Sequence, residues 1–236
     1  MVRHAFRIGK WFVVAFIGLN VFLALITNVP THITDSDDTV FQYVLNLKKP
    51  YVKLTYAEEI ALILFVQAQV IDRVPYGTPI PEYENREPKD LFKNLTGECY
   101  DRSRTFDKVF SWLGFEVRHV YILYPEAPDS GERLPFWRAF FTRGTMSHAV
   151  TEVKTSRGWV TVDSNSKWLS VTTDGSPIQV DRIYENAGLF SEIPNYFNQP
   201  YWAIRGMYSR RGQFYRPYIP YPQLNWFDFF SAIYSR

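Results

Sequence analysis

The chain is poor in the residues that carry most redox and metal chemistry. Its 236 residues include one cysteine, four histidines and three methionines. With Cys99 alone, an internal disulfide is excluded, and a lone thiol in an exported chain would be open to oxidation. Twelve glycines without a period exclude a fibre, and 46% hydrophobic residues exclude a disordered chain. A basic surplus is missing too. Arg3, Arg7 and Lys10 are the only charged residues before position 31. The remaining 23 basic residues, 26 less those three, face 24 acidic ones. Nucleic acid is therefore not expected as a partner. No acidic loop has calcium-ligand spacing, so neither a metal nor another cofactor is implied. No internal repeat is present, and the length suits one sizeable core with short extensions.

What is present begins with an apolar run, WFVVAFIGLNVFLALITNV, at 11–29. As a helix it would extend roughly 28 Å, close to the hydrocarbon thickness of a bilayer. It is longer than a signal-peptide core and lacks a small-x-small exit. Basic residues precede it, and Asp35, Asp37 and Asp38 follow. The expectation is a single-pass anchor in the cytoplasmic membrane, with residues 1–10 inside and the domain on the periplasmic or extracellular side.

Residues 30–50 read as a linker, 51–190 as the main domain, and 191–236 as an aromatic, arginine-rich C-terminal extension. Periodicity predicts helices from Thr55 and over Cys99–Trp112, the second stopped by Gly114. Strands are predicted at Val117–Tyr124, His148–Lys154 and Trp159–Asp163, the last two joined at Ser156-Arg157. The intervening 125–146 is a long interruption, and loops of this length are usually functional. Trp137, Arg138 and Arg143 are its candidate substrate contacts. Residues 195–236 hold 14 aromatics and five arginines against one acid, Asp228. They suit either an interfacial segment returning to the membrane or, the reading we favour, an extra layer packed on the core.

Cysteine catalysis needs a thiolate, a base and a group that orients the base. Cys99 opens a predicted helix, where unpaired N–H groups and the macrodipole favour negative charge. The alternative is a small buried hydrophobe. His4 and His32 flank the apolar run, which leaves His119 and His148. If Thr155 pairs with Gly158, Val150 faces Asp163, and His148 lies diagonal to Asp163 on the same face. A one-residue change in turn length would separate them.

Gly97-x-Cys99, the helix ending in Trp112-Leu113-Gly114, Ser147-His148-Ala149 and Gly158-Trp159-x-x-Val162-Asp163 together resemble the transglutaminase-like superfamily. The resemblance covers roughly 55–170. It implies an α+β, papain-like fold with the nucleophile helix packed on an antiparallel sheet. It also implies a catalytic triad of Cys99 (nucleophile), His148 (base and acid) and Asp163 (orienter), acting by acyl transfer on a protein or peptide through a thioester. Val150 departs from the aromatic often found two residues after the histidine. Gln67 and Gln69 are guesses for an oxyanion donor. The rival readings are a silent interaction module of a cell-envelope or polysaccharide-export assembly, engaging its partner through the tail, and a carbohydrate-binding role for the aromatics.

Overall fold

The computed structural model describes residues 2–234, and side chains from Lys10 to Ser231 except Phe12. Arg3, His4 and Arg7, named above, and Arg236, one of the five arginines counted in 195–236, lie outside the described side chains. The elements run α1 (Val2–Ile26), α2 (Asp35–Thr39, continued by a π-helical turn at Val40–Val44), α3 (Tyr56–Arg73), α4 (Pro88–Asn94) and α5 (Cys99–Trp112). They continue through β1 (Glu116–Leu123), α6 (Phe136–Phe141), β2 (Ser147–Thr155), β3 (Gly158–Val162), β4 (Trp202–Arg205), β5 (Met207–Ser209), β6 (Gln223–Leu224) and α7 (Trp226–Tyr234).

The main sheet is antiparallel, ordered β3-β2-β1-β4. Helix α3 starts at a capping box, in which Thr55 N–H donates to Glu58 at 2.7 Å and the Thr55 hydroxyl receives Glu58 N–H. Its buried Ile63, Val66 and Val70 meet Phe106, Val109 and Phe110 of α5, with Val153, Val160 and Val162 of the sheet. A second apolar cluster joins Val120, Ile122 and Val150 to Val180, Ile183, Phe190 and Phe197. The α5–β2 contact also has a polar tie, since Thr151 donates to Asp107 at 2.7 Å.

One expectation is not supported, the membrane span, and two are corrected. Among the described residues no helix is long and apolar enough to cross a membrane. Helix α1, 25 residues from Val2 to Ile26, spans about 37 Å. Thr27 and Val29, counted in the apolar run, are instead buried in the domain, where Val29 N–H donates to Leu224 at 2.8 Å. Residues 30–50 are more than a linker, because α2 and the turn after it place Val40, Phe41, Leu45 and Leu47 in the core. The tail is not a separate layer throughout, because β4 completes the main sheet beside β1.

The end of the tail also meets α1. Trp226 Nε1 donates to Ala24 O at 2.7 Å, and the Asn225 amide donates to Val29 O at 2.9 Å. Further back along α1, the Tyr221 hydroxyl donates to Asn20 Oδ1 at 3.5 Å, but most of the helix surface is uncovered among the described residues. Trp11, Val13, Val14, Phe16, Ile17, Leu19, Val21, Phe22 and Leu25 are all exposed. At 100° per residue these positions cover the whole helix circumference.

Candidate active site

The hairpin fixes two of the three residues. Thr155 pairs with Gly158 and Thr151 with Val162, so the two-residue turn at Ser156-Arg157 holds the register on which the diagonal pairing depends. His148 Nε2 lies 2.7 Å from Asp163 Oδ1, with both side chains buried. That contact leaves Nδ1 as the free ring nitrogen. Cys99, partly exposed at the first position of α5, lines the same cleft as His148. The structure therefore gathers Cys99 and the His148–Asp163 pair at one site.

The charges follow from the burial. Desolvation alone pushes the imidazole of His148 below its ordinary 6.5. Bonds to Asp163 and Cys99, and their charges, overcome this and lift it to about 9. Burial likewise raises Asp163, but His148 and the bonds from Ser166 and Tyr196 outweigh it and hold the carboxyl below its ordinary value.

Asp163 is held more elaborately than the sequence suggests. Its Oδ2 accepts the Ser166 N–H at 2.7 Å, the Ser166 hydroxyl at 2.5 Å and the Tyr196 hydroxyl. Tyr196 also lies over the imidazole, with ring centroids 4.4 Å apart. Gln67 is not an oxyanion donor. Its buried amide nitrogen donates to the carbonyls of Asp163, Ser166 and Trp168 at 2.7–2.9 Å, and so fixes the loop that carries the acid. Gln69 accepts from Arg73 at the exposed side of α3. Arg102, one turn beyond Cys99, donates to Ser164 O, to the Asn165 side chain and to Val74 O. Sequence reasoning missed Tyr196, Ser166 and Arg102. Only the aromatic richness of the tail hinted at the first.

The start of α5 is anchored as firmly. Asp101 accepts the backbone N–H groups of Glu98 and Ile80 and pairs with buried Arg86, whose guanidinium lies 4.8 Å from the Tyr100 ring and 4.4 Å from the Phe214 ring. Gly97 allows the close approach: a Cβ there would stand 2.8 Å from Leu91 Cδ1 and 3.2 Å from Asp101 Cβ. As the first helical residue, Cys99 has no intrahelical acceptor for its N–H, which is free to receive a developing oxyanion.

Cys99 and His148 open onto a cleft of about 260 Å³. Of the three expected substrate contacts, Arg143 lines it. Trp137 and Arg138 do not, and Trp137 projects outward, 64% exposed. Tyr100, Arg210, Arg211 and Phe214 contribute walls that the sequence did not nominate. His119, set aside at the sequence level, is buried elsewhere, 2.7 Å from Asp107 and stacked on Tyr208. Among the described residues no cluster of metal-ligating side chains occurs.

Comparison with known families finds a match. The model of the transglutaminase-like superfamily covers residues 47–164, half of the chain, and includes Cys99, His148 and Asp163. No curated protein matches the chain.

Proposed function

The chain belongs to the transglutaminase-like superfamily, and on that premise we propose that it is a cysteine acyl-transfer enzyme working through Cys99, His148 and Asp163. The observation that carries the reading is the buried His148–Asp163 pair, 2.7 Å apart, opening beside Cys99 onto one cleft. With its midpoint raised, His148 has already taken the thiol proton on Nδ1 as an imidazolium when Cys99 Sγ attacks the carbonyl carbon of an amide. The oxygen's developing charge falls to the Cys99 N–H. The C–N bond then breaks, the imidazolium gives its proton to the leaving amine, and an acyl thioester remains. Water, deprotonated by His148, attacks the thioester and releases the acid and the thiol. An amine in place of that water would give a cross-link. Hydrolysis is the favoured outcome because the cleft is open to solvent.

The test uses the single cysteine. Cys99 is alkylated with iodoacetamide from pH 5 to 9 in the protein and in His148→Ala. Reactivity at pH 6 that falls about tenfold or more in the variant supports the reading. A rate equal to that of a free thiol and indifferent to His148 overturns it.

The same proposal extends to location. The exposed apolar circumference of α1 supports attachment to a lipid bilayer, with the charge asymmetry of the flanks favouring an outward-facing domain. Retention in the membrane pellet at alkaline pH, lost on removal of residues 1–26, is the expected result. Full release of the intact chain would refute it.

A further inference from the structure

The charge lining the catalytic cleft is one-sided. Outside the triad its charged walls are Arg143, Arg210 and Arg211, against Glu82 alone. Glu82 is not their partner; it accepts the Gln213 amide at 3.0 Å. Among the described residues, none of the three arginines is paired with a carboxylate. Four other buried or half-buried arginines do have carboxylate partners: Arg86 with Asp101, Arg104 with Glu87, Arg118 and Arg205 with Glu152. Half-buried Arg210 and Arg211 differ from these four.

The three have different tasks. Arg210 donates to the Tyr121 hydroxyl and to the carbonyls of Ala139, Phe140, Thr142 and Thr145. It ties down the 139–145 segment and has spent most of its donors, so it contributes field more than contact. Arg143 sits on that segment, exposed and without a partner among the described residues. Arg211 makes one long bond, 3.3 Å, to Phe141 O. These two guanidiniums retain the free forked donors that suit a carboxylate.

Resting on the proposed acyl transfer, we infer that the acyl donor is an acidic peptide, with a carboxylate beside the scissile amide bound by Arg143 and Arg211 in the field of Arg210. Low-dielectric walls focus such a field on a small cleft and favour anionic ligands. A neutral or basic peptide would leave three cations uncompensated.

The experiment compares alkylation of Cys99 by iodoacetate, an anion, and iodoacetamide, its neutral counterpart. Taking the ratio of the two rates cancels general changes in thiol reactivity. In the full chain the ratio is expected to exceed that in the Arg143→Gln/Arg211→Gln double variant by about threefold or more, and to fall as salt rises from 0.05 to 0.5 M. A glutamate-containing peptide is expected to protect Cys99 at lower concentration than its glutamine counterpart. A ratio indifferent to the double substitution and to salt overturns the inference. Equal protection by sulfate and by the acidic peptide also overturns it, because that indicates a bare anion site. The controls separate the two readings. Loss of His148 dependence with iodoacetamide defeats the acyl-transfer proposal, whereas an unchanged ratio defeats only the acidic substrate.

Discussion

Replacing Asp163 by asparagine keeps the shape of the orienting side chain and removes its charge. In the folded protein His148 titrates at about 9 against an ordinary 6.5, a difference worth about 3 kcal/mol in favour of the imidazolium. Asp163 and Cys99 together supply it against the opposing burial, and the hydrogen bond from the acid is the largest upward cause. The His148 midpoint, followed by NMR of the ring carbon, is therefore expected to fall by about 1–2 pH units in Asp163→Asn. It should fall below 6.5 in the Cys99→Ala/Asp163→Asn double variant, where burial acts alone. Stability carries the same signature with a definite sign. A folded-state value above the unfolded one means that the native protein holds the proton more tightly. The stabilisation is full below about pH 6.5 and is lost as pH rises through about 9. Denaturant titrations at pH 6 and pH 9.5 should show this decline in the native protein and a smaller one in Asp163→Asn. A His148 midpoint still near 9 in the double variant would refute the reasoning.

Gln67→Leu leaves three loop carbonyls without their shared donor. It should cost about 2 kcal/mol or more by chemical denaturation and lower the His148-dependent reactivity of Cys99. Gly97→Ala forces a methyl against Leu91 and Asp101; a loss of about 1–3 kcal/mol is expected, read as a lower melting temperature. Asp228 is pushed up to about 6 by burial and by the nearby Asp107 charge. Its folded-state value lies above the unfolded one, so stability is lost as pH rises through about 6. Asp228→Asn should then stabilise the protein at pH 7.5, by at most about 3 kcal/mol, with no gain at pH 4. Equal effects at both pH values would contradict the assignment.

Local pattern made the core of the fold legible. The Cys99–Trp112 helix follows from its glycine flanks, and the hairpin follows from alternation on either side of a two-residue turn. That turn fixed the parity that puts His148 and Asp163 on one face. The supports of the site were hidden because they are contacts between segments far apart in the chain. Gln67 reaches residues 96 to 101 positions away, and Tyr196 reaches back 33. Nothing local distinguishes a glutamine that faces solvent on a helix from one that crosses to a distant loop. The 30–50 stretch misled for a related reason. Its hydrophobic residues form one short run, broken by Gln42 and Asn46 and flanked by charge, yet Phe41, Leu45 and Leu47 fill the core once α3 and α5 are in place. At α1, apolar composition read the helix correctly but not its end, which the Leu224 strand takes into the domain.

The hydroxyl that steadies Asp163 comes from Tyr196, 33 residues downstream of it. During synthesis at about 5–20 residues per second, the nucleophile and its base leave the ribosome several seconds before that cover does. The β4 strand and the Arg210 clamp on the 139–145 segment follow later still. Until then His148 is open to water, and the loop bearing Arg143 has no tether from Arg210. The order of the chain thus leaves the candidate site without its last supports until the sheet's last strand has arrived.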